Sequence, residues 1–245
     1  QVIDVIGRGR FSAASSDSTG NTKACWCYLC ATIPTMVNLP DPVHHTNLPI
    51  KNICKLLFFK DVIATIRRTL QFFSKSDQSA EELAVIRERL TIPRGLEKIG
   101  KTHFAMIIRA SVAMRRCLPA LREGCSSGKI TVEEMHECFV RDSPSTLAFE
   151  TQLNQLLSVG LPYAKTIVCL ESTQMTIADV FIYWCGIAVS SKQVLAQRAS
   201  GIPDIVKGEL RAILNTRWVE MFEDGPTNAH LSAVYLNLSE WRHTD

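Results

Sequence analysis

Past residue 55 the apolar positions recur with helical spacing. Phe59, Val62, Ile63, Ile66, Leu70 and Phe73 follow one another at intervals of three, one, three, four and three. Those intervals place all six on one stripe of an amphipathic helix. Ser79-Ala80-Glu81-Glu82 has the form of a capping box and opens a short helix to Leu90. Thr91 to Gly100 carries Pro93, Gly95 and Gly100 and reads as a connector. A further helix is expected from Thr102 to about Leu118. A second capping box, Thr131-Val132-Glu133-Glu134, opens a helix to Phe139, and Thr146 to Leu157 follows. Pro162 suits the first turn of a separate helix to Leu170, and Pro203 that of one running to Phe222. Between them Thr176 and Asp179 start a helix to about Arg198. Its apolar run, Ile177 to Val189, is too short to span a bilayer, which needs about 20 residues. It reads as a buried core helix. His230 to Trp241 is apolar-rich and fits either helix or strand.

The first forty residues follow another rhythm. Gln1 to Ile6 leans toward β structure and ends at Gly7-Arg8-Gly9, which lacks the lysine and the spacing of a phosphate-binding loop. Phe11 to Ser16 reads as a strand, Thr22 to Thr32 as a helix stopped near Pro34, and Thr35 to Leu39 as a second strand closed by Pro40-Asp41-Pro42. Strand, helix, strand is the edge of an α/β sheet. Such a piece is marginal by itself, whereas the helices after it are numerous enough to make their own core. The expected fold is therefore mainly α: a partial α/β element over residues 1–45, then a large helical domain over 46–245.

Composition narrows the classes. Of 245 residues, 46% are hydrophobic and 21% charged, enough to bury a core. The net charge of +3 permits nucleic-acid contact without arguing for it, because a phosphate footprint needs clustered base. Base does concentrate in the middle third: Arg67, Arg68, Arg87, Arg89, Arg94, Lys98, Lys101, Arg109, Arg115 and Arg116. On one face these would track a phosphate backbone; dispersed, they solvate helix surfaces. The nine cysteines are irregularly placed, and several sit in apolar helical patterns, so they read as reduced thiols. No cationic leader with an apolar core is visible, and the expectation is an intracellular protein that is neither secreted nor membrane-bound.

Candidate chemistry starts at Asp17. It follows the small residues Ala13 to Ser16 at a strand end, where a carboxylate meets a metal or phosphate without steric obstruction. Spacing alone favours a plainer role as helix cap. Cys25, Cys27 and Cys30, with His44 or His45, suggest zinc. But residues 27 and 30 share a helical face that 25 does not, and three buried small side chains is the stronger reading. His44-His45 reads as ligands or DNA contacts, or equally as a loop pair that satisfies local backbone groups. Glu81-Glu82 and Glu133-Glu134 sit at helix starts, where they complement the dipole. Glu171 and Asp179 lie close together in an apolar setting; Asp179 reads first as a cap.

Several segments carry a family resemblance. Phe11-Ser12-Ala13-Ala14-Ser15-Ser16-Asp17-Ser18-Thr19-Gly20-Asn21-Thr22 resembles the stretch around the second catalytic aspartate of hAT-type transposases, in their fungal, DUF659-type branch with a ribonuclease H-like core. Asn38 to Asn47 resembles the Cys/His-containing stretch that leads into that family's helical insertion. Gly95 to Phe104 resembles the segment with an Arg-Trp-like motif. Cys169 to Ser172 and Thr176 to Phe181 resemble later parts of the insertion, and His230 to Asn237 a segment before the family's C-terminal part. The series is collinear over nearly the whole chain, though no single motif is specific.

The resemblance implies an RNase H-like core and metal-dependent DNA cleavage and strand transfer, with three carboxylates holding Mg²⁺ or Mn²⁺. Only Asp17 matches one of the three. Val43 stands where the family has Cys, Phe104 takes the aromatic position of the Arg-Trp-like motif, and His103 replaces a basic residue. The zinc-finger module that precedes such enzymes has no counterpart here. The chain thus reads as an internal segment or a decayed copy, nuclear, inactive alone and binding no metal ion by itself. Asp17 is the catalytic and metal-ligating remnant. His44, Asn47, Lys101 and Arg109 are the candidate DNA contacts, with DNA and a second copy of the chain as partners. The alternative is a helical protein-interaction module without nucleic-acid work.

Overall fold

The computed structural model describes residues 2–16, 20–100, 104–131, 136–140, 143–225 and 227–238. It is mainly helical, with one small sheet near the N-terminus. The β-leaning start is instead a short helix, α1 (Val2–Ile6). The strand–helix–strand reading of the next residues matches the structure: β1 (Ala13–Ser16), α2 (Gly20–Thr32) and β2 (Val37–Pro40). The strands pair in parallel, Ala13 opposite Val37 and Ser16 opposite Pro40. A parallel pair needs a crossover, and α2 supplies it.

Pro40-Asp41-Pro42, read as a closing turn, starts α3 (Pro42–Ile53) instead. Asp41 Oδ1 accepts the Val43 N–H at 2.9 Å and the His44 N–H at 3.1 Å, and Pro42 occupies the first turn, where its missing N–H costs nothing. His44 and His45 are therefore helical, not a loop pair, and residue 46, the expected start of the helical domain, lies inside α3. The amphipathic stripe is α4 (Lys60–Phe73), which buries Val62, Ile63 and Ile66. In α5 (Asp77–Arg89) the cap is Ser76, whose hydroxyl accepts the Ser79 N–H at 3.3 Å; Ser79 is already inside the helix.

Two long helices form the centre. α6 (Ala105–Ser126) runs past the expected end at Leu118 and through Pro119. α8 (Pro144–Leu170), capped by Ser143, joins the two helices that Pro162 was expected to separate. An interior proline costs about 3 kcal/mol, but here Leu153, Leu156 and Leu157 before it and Tyr163, Ala164 and Ile167 after it are all buried. Continuity keeps both sets in one core. Between the two helices lies the short α7 (His136–Phe139); of the capping box expected at 131–134, residues 132–134 lie outside the described residues.

The Thr176 start of α9 (Ile177–Ala196) is a reciprocal capping box with Asp179, as the sequence suggests. α10 (Asp204–Trp218) continues into a π-helical turn, Val219–Glu223, and α11 (Thr227–Leu238) is helix where the sequence was ambiguous. Phe222 of the π-helical turn sits among Phe181, Trp184, Trp218 and His230, with ring centroids 4.8–5.8 Å away. Among the described residues no helix is long and apolar enough to cross a membrane.

Candidate functional site

The strand–helix–strand unit and the helical body meet at a cleft of about 510 Å³. Trp26 and Cys27 of α2, and Asn38 and Pro40 of β2, form one wall. His44, His45 and Leu48 of α3 form the floor. Arg217, Glu220, Asp224 and Gly225, from the end of α10 and the turn after it, close the other side. The sequence order of these parts explains the meeting. Asp41 caps α3 immediately after β2 ends, so α3 leaves the sheet directly and carries its histidines to the seam.

Most of the charge in the cleft is already matched. Arg217 Nη1 and Glu220 Oε2 are ion-paired one turn apart. The His44 and His45 rings lie 6.0 Å apart at 77°. His45 is buried; His44 is half-buried and faces the cleft. Burial pushes the His45 pKa below its ordinary value, with the neighbouring His44 acting the same way. Arg217 adds to this, while Glu220 and Asp41 oppose it.

A second buried imidazole, His230, is likewise held below its ordinary value by burial, opposed by its contact with the Ile177 carbonyl (Nδ1 to O, 3.3 Å). The sign of the resulting pH dependence follows. A histidine whose folded pKa lies below its unfolded value of about 6.5 stabilises the fold fully above that pH. The contribution is lost as pH falls from 6.5 toward the folded values. Urea unfolding between pH 7.5 and 5 should show stability falling on acidification, by at most about 1.4 kcal/mol per pH unit for each histidine. His45→Gln with His230→Gln should flatten that slope. A slope unchanged in the double variant would refute the assignment.

The sequence candidates separate in space. Asp17 and Lys101 lie outside the described residues. His44 lines the cleft. Asn47, one turn further along α3, instead accepts the Ala105 N–H at 3.0 Å through Oδ1 and so caps α6 from another helix. Asn47 and Arg109 do come together, with Glu171, around a small space of about 50 Å³. Arg109 Nε lies 3.6 Å from Glu97, as does Arg116 Nη2.

The basic cluster is thus partly spent inside the molecule. Arg116 donates to the Arg94 and Gly95 carbonyls at 3.1 and 2.9 Å and pins the connector. Arg89 pairs with Glu123, and Arg122 with Glu150 at 2.5 Å. Glu82 of the first acidic pair faces Lys129 at 3.8 Å. Arg67, Arg68 and Arg115 are exposed and make no ion pair among the described residues.

The expectation of three buried thiols on α2 is corrected. Cys25 and Cys27 are exposed and Cys30 is half-buried, because α2 buries Trp26 alone of these neighbours. All nine cysteines are free. Cys27 does share the cleft with His44, yet among the described residues no three His, Cys, Asp or Glu side chains converge to hold a metal ion. The cleft residues form a recess lined by one matched ion pair and two adjacent histidines, one of them buried.

Sequence reasoning missed Trp26, Asn38, Arg217, Glu220 and Asp224 as cleft residues. Only Arg217 and Glu220 carried a local signal, an opposite-charge pair three residues apart on a helix. The others depend on contacts between distant segments. Compared with known proteins, the chain matches no family model, no curated protein and no solved structure.

Proposed function

We propose that this chain is a segment of an hAT-transposase-derived protein: the end of an RNase H-like catalytic core followed by its helical insertion. One observation carries the reading. β1 and β2 are parallel, α2 crosses between them, Asp17 directly follows the last residue of β1 in sequence, and the chain then passes straight into an all-helical body. That is the order the resemblance calls for around the second aspartate of the catalytic set. On this reading the protein works in the nucleus on DNA, and Mg²⁺ or Mn²⁺ belongs to the complete family enzyme. Asp17 is the one position matched to the three carboxylates, and one carboxylate does not organise two metal ions. The purified chain with Mg²⁺ or Mn²⁺ should leave supercoiled plasmid intact. Nicking that disappears in Asp17→Ala would overturn the claim that it is inactive alone.

A second reading, a helical interaction module without nucleic-acid work, draws support from the internal pairing of Arg89, Arg109, Arg116 and Arg122 with glutamates. Base tied up in this way is less free for phosphate. The two readings differ in whether the chain binds DNA at low salt.

A further inference from the structure

Away from the cleft, α4, α5 and the connector after α5 enclose a groove of about 330 Å³. Its walls are Leu70, Phe73, Ala80, Leu83, Ala84 and Leu96. Polar groups collect at one part of it: Ser74, Arg87, the Gly95 backbone and Lys98. Two features set it apart from an ordinary surface depression. The guanidinium of Arg87 lies against Gly95, where a Cβ would meet Nη1 at 2.7 Å and Cζ at 3.3 Å, so the absence of a side chain there makes room for the cation. Neither Arg87 nor Lys98 has a carboxylate or hydrogen-bond partner among the described residues, and no carboxylate lines the groove. The nearby Glu97 is turned to Arg109 and Arg116.

We propose that this groove binds an aliphatic monocarboxylate, with an unbranched apolar tail between α4 and α5 and the carboxylate against Arg87 and Lys98. Charge complementarity selects an anion, since two unmatched cations flank an apolar recess. The lining selects the tail. A peptide lying here would bring its own backbone N–H and C=O groups against alkyl and aromatic walls, at the cost of leaving them unpaired. An alkyl chain carries no such groups. The volume lies at the lower end of the range for small-molecule pockets, which suits one medium-length chain.

The test is calorimetric titration of the full chain with decanoate below its micelle concentration, alongside decanol and acetate. Decanoate should bind saturably, one per chain, and raise the melting temperature, because only the native state holds the groove. Decanol, lacking the charge, and acetate, lacking the tail, should each bind at least about tenfold more weakly. Arg87→Ala and Lys98→Ala should each weaken decanoate by about tenfold while leaving decanol unchanged. Ala84→Trp, which fills the groove from its exposed side, should abolish binding. Lys98 and Ala84 are exposed, so both variants keep the fold and stay informative even if Arg87→Ala does not. The proposal is overturned if decanoate does not bind the folded chain, binds no better than decanol, lowers the melting temperature, or is indifferent to Lys98→Ala and Ala84→Trp. Binding of an aspartate- and leucine-containing peptide where decanoate fails would also overturn it, and would assign the groove to a protein partner.

Discussion

Trp184→Ala should destabilise the protein by about 3–5 kcal/mol, the largest loss expected from any single truncation here. The indole is fully buried on α9 and meets the Phe222 ring edge-on at 5.8 Å. Phe222 also touches Phe181, Trp218 and His230, so one cluster joins α9, the π-helical turn and α11. Removing the indole leaves a cavity at that junction, and the rings around it are held by several elements and collapse poorly. The polar part of the indole works the other way. Nε1 is buried with no hydrogen-bond partner among the described residues, and an unpaired buried N–H is itself unfavourable. Trp184→Phe should therefore cost far less than Trp184→Ala, because it keeps an aromatic ring and removes the orphan donor. Chemical denaturation of both variants checks the ordering. Equal losses would mean that the packing of this cluster is not what holds α11 in place.

Gly160→Ala should also destabilise, although alanine is the better helix former by about 1 kcal/mol. Gly160 lies in the interior of α8, at its crossing with α6. An added Cβ would collide with Ile108 Cδ1 and stand 3.0 Å from Cγ1. Ile108 is fully buried: its β-branch fixes χ1 in a helix, and the packed core around it resists a swing of Cδ1 about χ2. Overpacking of this kind costs about 1–3 kcal/mol, which exceeds the propensity gain. Gly208, exposed on α10 with nothing near its would-be Cβ, gives the contrast: Gly208→Ala should stabilise by up to about 1 kcal/mol. A double-mutant cycle identifies the contact. Ile108→Val removes Cδ1, so Gly160→Ala should cost less in that background than in the wild type. Additive losses would place the strain elsewhere.

Much of this fold is legible in the sequence, for reasons that differ from element to element. The α4 stripe, the Thr176–Asp179 box and the connector after Leu90 depend on spacing or on local turn chemistry, and they appear where expected. The misreadings share another cause. Pro42 and Pro162 both act as punctuation in a local reading, yet Pro42 starts a helix because Asp41 caps it, and Pro162 sits inside one because apolar residues on both sides share a core. Val2–Ile6 has β-branched side chains and forms a helix all the same, a reminder that propensity is weak over five residues.

The candidate site was less visible. His44 could be singled out, but its companions Trp26, Asn38, Arg217 and Glu220 come from segments far apart in sequence. Asn47 shows the limit most clearly. Nothing near it in sequence predicts that its side chain caps a helix 58 residues away.

The central claim is that this helical body, with its strand–helix–strand unit, derives from a protein that handles DNA. Fluorescence anisotropy of a labelled duplex, titrated with the chain over a series of salt concentrations, tests it most directly. Exposed Arg67, Arg68 and Arg115 remain available to phosphate. The account predicts binding at low salt, with log affinity falling linearly against log salt by about 0.9 for each phosphate contacted. No binding at the lowest salt, by a chain shown to be folded, would contradict it and leave the interaction-module reading in its place.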